Sequence, residues 1–168
     1  MLGPEHPNTA RGLNNLASVL NDQGDLAAAR PLLERALAIY EKAYGPEHPH
    51  TATGLNNLSF VLKAQGDLAA ARPLLERALA NYEKMLGHEH PLTAACLNNL
   101  ATLLHGQGDL AAARPLLERG LAILEKVLGP EHPEMASILN NLAALLEAQG
   151  DLAAAQPLLE RARAMRGK

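Results

Sequence analysis

The side chains best suited to acid–base, nucleophilic or metal chemistry in this 168-residue chain are seven histidines and one cysteine. His6, His48, His90 and His132 recur at a constant interval, each inside an EHP triplet. That interval is a whole repeat, which keeps four imidazoles from sharing one metal ion. His48-Pro49-His50 and His88-Glu89-His90 bring imidazoles close in pairs, a pattern able to hold a stray transition metal. The HExxH pattern, which sets two ligands one helical turn apart, does not occur. Cys96 stands at a phase that the other copies fill with Gly12, Gly54 and Ile138, so a small packed thiol is expected. No glycine-rich phosphate loop, Walker pattern or nucleophile elbow is present. These residues predict a chain with no catalytic centre, no metal and no cofactor.

Amides are the more abundant recognition groups. The pairs Asn14-Asn15, Asn56-Asn57, Asn98-Asn99 and Asn140-Asn141 stand 42 residues apart. Asparagine is a poorer helix former than alanine by up to ~0.7 kcal/mol per site. Eight of them inside helical segments therefore imply an offsetting role. A ladder of side-chain amides can bond neighbouring repeats or reach back to helix carbonyls. One amide of each pair can instead present donor and acceptor to a bound chain. On a helical wheel Asn14 falls nearer the apolar boundary and Asn15 nearer the middle of the polar face, so both roles can hold together.

The residues around these amides change from copy to copy. Arg11 becomes Thr53, Ala95 and Ser137; Ser18 becomes Phe60, Thr102 and Ala144; Asn21 becomes Lys63, His105 and Glu147. Such variation suits a face that only meets solvent, or a groove offering different contacts at each step. Phe60 reads as an interface anchor, a common task for an aromatic in a groove, or as filler between repeats. Lys63 beside it is able to meet an acidic segment.

These side chains are placed by a repeat. Aligning 1–42, 43–84, 85–126 and 127–168 leaves 24 of 42 phases identical in all four copies, with no compositional break at which to divide the chain. One elongated domain over 1–168 is expected. In the first copy Pro7 suits an opening helical turn, where its missing N–H is not needed. Leu13, Leu16, Ala17 and Leu20 then follow with helical spacing. Gly24 sits where a left-handed residue ends a helix, and Asp25 is placed to cap the next one. The second helix buries Leu26, Ala29, Leu33, Ala36, Leu37 and Tyr40, and Gly45-Pro46 stops it. Pro31 lies inside that helix, where a proline costs ~3 kcal/mol; a helix starting at Pro31 is the alternative. Glu34-Arg35 and its copies read as a solvated face. Two-residue turns make the helices of a pair antiparallel, and a pair gains a continuous core only by stacking on its neighbours.

Composition removes other classes. A net charge of −3 and 2 % aromatics argue against nucleic acid, which needs basic patches and stacking rings. No apolar run approaches the roughly 18 residues needed to span a bilayer. The first residues, MLGPEHP, lack the basic and apolar regions of a secretory signal. Cys96, the single cysteine, needs no oxidising compartment. The expectation is a cytoplasmic protein that meets neither membrane nor nucleic acid.

The stretch NLASVLNDQGDLAAARPLLERALAI, residues 15–39, resembles the tetratricopeptide repeat. Leu13, Leu16, Ala17, Leu20, Gly24, Leu26, Ala29, Leu33, Ala36 and Leu37 carry the match. The family unit is usually about 34 residues; the extra length here falls in the end of the second helix and in LGPEHP. In this longer form, with LNNLA, QGD, A-x-P-L and LGPEHP, the copies look like kinesin-light-chain repeats. Leucine replaces large aromatics at several packing phases. The resemblance implies an all-α, right-handed α-solenoid of four antiparallel helix pairs. It also implies a concave groove lined by first helices, holding a peptide or a partner helix. The groove residues would then be Arg11, Asn14, Asn15, Ser18, Asn56, Asn57, Phe60, Lys63, Asn98, Asn99, His105, Asn140 and Asn141. A clamp for a C-terminal carboxylate is disfavoured, because the matching phases read Arg11, Asn15, Asn57, Ala95 and Asn99 and lack two basic residues.

The function expected is a non-catalytic scaffold for a protein or peptide partner. The alternative is a structural array that self-assembles and has no dedicated ligand. In the last copy Arg163 and Arg166 replace Leu37 and Tyr40, as suits a polar cap. The first helix keeps its leucines, which predicts an exposed apolar edge there, belonging to further repeats or promoting end-to-end self-association.

Overall fold

The computed structural model describes residues 3–166, and Arg166 by its backbone alone. Among the described residues there are eight α-helices and no strand. Helices α1 (Pro7–Asp22), α2 (Leu26–Tyr44), α3 (Pro49–Ala64) and α4 (Leu68–Leu86) form one compact unit, Met1–Leu86. Helices α5 (Pro91–Gly106), α6 (Leu110–Leu128), α7 (Met135–Ala148) and α8 (Leu152–Arg166) form a second, Gly87–Lys168. In the first unit α1 packs on α2, α3 on α4, and α2 on α3 across the repeat boundary. The second unit repeats this with α5–α6, α7–α8 and α6–α7.

Local chemistry sets the helix ends. Gly24 has φ 80° and its N–H donates to the Asn21 carbonyl, while the Asp25 N–H donates to that of Leu20. This is the Schellman pattern, which occupies carbonyls that a helix end leaves open. Asp25 Oδ1 then accepts from the Ala28 N–H at 3.1 Å, and Asp67, Asp109 and Asp151 do the same. Helix α2 runs unbroken through Pro31, so the alternative start at that proline does not occur.

The recurring histidines have a structural task that spacing alone did not reveal. Nδ1 of His6, His48 and His90 accepts the backbone N–H two residues on, at 3.1 Å each. Each imidazole thus caps a first helix whose opening position is proline, a bond worth ~1 kcal/mol. Threonine adds a second tie: Thr51 Oγ1 donates to the Gly45 carbonyl at 2.7 Å and Thr93 to that of Gly87 at 2.9 Å. Met135 holds this phase in the fourth copy and brings no hydroxyl. There the helix opens at Met135, not at Pro133, which departs from the expected start.

The outer faces are tied as well. Lys84 Nζ reaches Glu47 at 2.5 Å and Lys126 Nζ reaches Glu89 at 2.6 Å, joining the end of each second helix to the connection that opens its own repeat. Arg77 Nη2 donates to the Pro46 carbonyl at 3.2 Å, and Arg161 to that of Pro130 at 2.8 Å. The Arg35 phase is therefore bonded to the connection rather than merely solvated; Arg35 itself donates to the Pro4 carbonyl at 3.2 Å.

Small residues let the helices approach closely. Ala10, Ala29 and Ala36 are fully buried, as are Ala52, Ala71 and Ala78 in the next repeat. The buried arc of a first helix is wider than the expected stripe. Gly54 and Val61 in α3, Cys96 and Leu103 in α5, and Ile138 and Leu145 in α7 are all buried. The cause is a second neighbour: in α3 and α7 the helix meets its own partner and also the second helix of the repeat before it. Cys96 is 1 % exposed, in keeping with a packed thiol. No described helix is long and apolar enough to cross a membrane. In α8 Arg163 is exposed, as a polar cap requires, whereas the side chain of Arg166 lies outside the described residues.

Candidate partner-binding surface

In the first unit the polar faces of α1 and α3 border a cleft of about 480 Å³. Asn14, Asn15, Ser18, Asn21 and Asp22 line it from α1, and Asn57, Phe60 and Val61 from α3. Five of the expected groove residues, Asn14, Asn15, Ser18, Asn57 and Phe60, are thus brought together. Arg11, Asn56 and Lys63 lie outside the lining.

Phe60 is 49 % exposed, so it does not fill a gap between repeats. Lys63 Nζ sits 5.9 Å from the Phe60 ring centroid, one helical turn on. Such a pair is worth about 0.5–1 kcal/mol at an exposed site. Burial lowers the Lys63 pKa from its usual 10.5, because the charged amine has lost part of its water.

The amides divide their work. Asn14 Nδ2 donates to Tyr40 Oη at 3.2 Å, and Asn57 Nδ2 reaches Asn14 Oδ1 at 3.5 Å. In the second unit Asn141 Nδ2 donates to Asn98 Oδ1 at 2.8 Å, and Asn98 Nδ2 to Ser137 Oγ at 3.4 Å. The second amide of one repeat thus bonds the first amide of the repeat before it, which is the ladder reading. Asn15 and Ser18 are exposed at the cleft.

The second unit has a smaller depression of about 340 Å³, lined among others by Ala95, Asn98, Asn99 and Ser137. His105, Asn140 and Asn141 lie outside it. An aromatic cluster in the first unit was not foreseen: Tyr44 stacks on His48 at 4.5 Å between centroids, with His50 at 5.1 Å. Only the pairing of Tyr44 with the HPH triplet hinted at it, since other copies carry leucine at the tyrosine phase.

The tetratricopeptide-repeat family model matches residues 8–84, 55–126 and 100–168. No curated protein sequence matches. The chain is similar to the crystal structure of the kinesin light chain nearly identical TPR-like repeats of Podosopora anserina. Identity is 34 %, covering 99 % of this chain and 79 % of that one, with a TM-score of 0.77. A single-substitution variant of that protein aligns at 34 % identity and TM-score 0.80, covering 99 % of this chain and 78 % of that one. BtubC (BKLC) from P. vanneervenii aligns at 27 % identity and TM-score 0.83, covering 96 % of this chain and 65 % of that one. Proteins built on such repeats generally mediate protein interactions and are generally non-catalytic. With three histidines capping first helices, a ladder of amides between repeats and an open polar cleft, the chain belongs to the tetratricopeptide-repeat family, of the kinesin-light-chain-like kind and with its all-α fold.

Proposed function

We propose that this chain is a non-catalytic scaffold that holds a peptide or helix of a partner protein against the polar faces of its first helices. The observation that carries this reading is the first-unit cleft. It combines exposed donors and acceptors at Asn15 and Ser18 with an aromatic, Phe60, left 49 % exposed. An aromatic held at the edge of a cleft suits an interface anchor. Arg11, Asn56 and Lys63 flank this surface; Asn98, Asn99, His105, Asn140 and Asn141 would serve the second unit. The reading takes 1–168 as one repeat domain, since the 42-residue stride continues unbroken in sequence. It takes the protein to act in the cytoplasm, away from membranes and nucleic acid, and to need no cofactor.

Selection of a random peptide library on the immobilised chain tests the reading. Selected peptides should bind the Phe60→Ala variant at least about tenfold more weakly, with helix content unchanged. Peptides indifferent to Phe60→Ala, Asn15→Ala and Ser18→Ala together would remove the assignment. The amide ladder favours a second reading, an array whose repeats serve spacing or self-assembly without a ligand; failure to select any peptide is its expected result.

A further inference from the structure

We infer that the first-unit cleft selects an arginine of its partner peptide and that Asp22 is the residue that reads it; this rests on the cleft being a peptide site. Asp22 is the last residue of α1 and the only charged side chain among the described residues that line the cleft. Its carboxylate makes no hydrogen bond or ion pair among the described residues. An anion there opposes the helix dipole, whose negative end lies at the C-terminus. The same phase is Ala64, Gly106 and Ala148 in the other copies, so the fold does not ask for an anion at it. Asp25, three residues on, has its own task, since its Oδ1 holds the Ala28 N–H. A charge that works against its helix and meets nothing inside the chain breaks a local rule, as residues of functional sites do.

The cleft does not owe its opening to the place where α1 begins. In α3 and α7 the preceding repeat of the same unit lies alongside. The phases of Ser18 and Asp22 stay exposed there all the same, at Phe60 and Ala64 in α3 and at Ala144 and Ala148 in α7. A repeat packed ahead of α1 in the same way would leave Ser18 and Asp22 open. Arginine fits this wall better than lysine. A carboxylate accepts two parallel bonds from a guanidinium, and Ser18 Oγ and the Asn21 amide oxygen line the same cleft as further acceptors. Neither of those side chains has a bond partner among the described residues. The buried Ala17, Leu33 and Val61 add apolar lining for the methylene stem. Lys63 Nζ, 5.9 Å from the Phe60 ring centroid, repels a second cation from the α3 wall and leaves α1 as the side on which it seats. An apolar residue beside the arginine then rests on Phe60.

The test starts from library peptides whose binding to the full chain falls in the Phe60→Ala variant. They should share an arginine. Asp22→Asn should weaken their binding at least about tenfold with helix content unchanged, and so should replacing that arginine by glutamine. The two changes together should cost no more than either alone. Glu118→Gln alters the net charge by the same amount on the outer face of the second unit, where Glu118 pairs with Arg114, and should leave binding unchanged. Mere attraction of basic peptides to a chain of net charge −3 predicts equal losses in the two variants. The inference is overturned, and the cleft remains a peptide site, if Phe60-dependent peptides lack arginine, bind the Asp22→Asn chain undiminished, or lose as much with Glu118→Gln. Absence of any Phe60-dependent peptide overturns both readings.

Discussion

Helices α1 and α3 carry nearly the same residues and live in different surroundings. Both read LNNL through the middle, with glycine before it and valine after it. In α3 Leu58 is 6 % exposed and a Cβ on Gly54 would crowd Leu37 and Tyr40 of α2; in α1 Leu16 is 51 % exposed and a Cβ on Gly12 would meet nothing within 4 Å. Identical side chains thus contribute differently according to whether a second helix lies on them. The hydrophobic gain scales with apolar area removed from water, and that area is set by the neighbour rather than by the residue.

Paired substitutions at matched phases test this contrast. Leu58→Ala should cost about 2–5 kcal/mol, the range for emptying a packed site. Leu16→Ala should cost under about 1 kcal/mol, since half of that side chain already meets water. Urea unfolding of both variants measures the difference, and equal losses would refute the contrast. Thr51→Val should cost about 0.5–1.5 kcal/mol, because it removes a half-buried 2.7 Å bond to the Gly45 carbonyl. Thr9→Val, at an exposed copy of that bond, should cost under about 0.5 kcal/mol by the same assay.

A smaller effect is expected at the glycines. Gly12→Ala should raise stability by up to about 1 kcal/mol through helix propensity, with no clash. Gly54→Ala should gain less or lose, since its methyl would crowd Leu37 and Tyr40 at 3.3 Å. Differential scanning calorimetry reads this as a higher Tm for the first variant. The contrast should vanish on the outer face. Lys42 pairs with Glu5 as Lys84 pairs with Glu47, and all four side chains are well exposed. Lys42→Met and Lys84→Met should each change stability by under about 1 kcal/mol, and by similar amounts.

The candidate surface was legible in part. Copy-to-copy variation at the phases of Ser18 and Phe60 pointed to residues that do line the first-unit cleft. Whether an asparagine belongs to the ladder or to the open surface was not legible. Asn15 and Asn57 share one phase, yet Asn57 bonds the amide of Asn14 while Asn15 is exposed at the cleft. A repeat-to-repeat bond needs a preceding repeat, and no wheel drawn for one helix contains that information. The histidine caps were hidden for a related reason: Ser, Thr, Asp and Asn are the usual signals of a helix start, and an imidazole ahead of proline was weighed only as a metal ligand and set aside. The later opening of α7 accompanies a methionine at a threonine phase, a change visible in the sequence once the bond made by threonine there is known.

By itself the sequence determined how far apart the helices recur and, α7 aside, where they begin and end. Those features rest on contacts within a few residues: a glycine free to take φ 80°, an aspartate reaching an N–H three residues on. Only the tertiary structure decided which leucines count as core, because burial is a property of two surfaces brought together. Leu16 and Leu58 occupy the same phase; α2 lies across Leu58 from the preceding repeat, and among the described residues no second helix lies across Leu16.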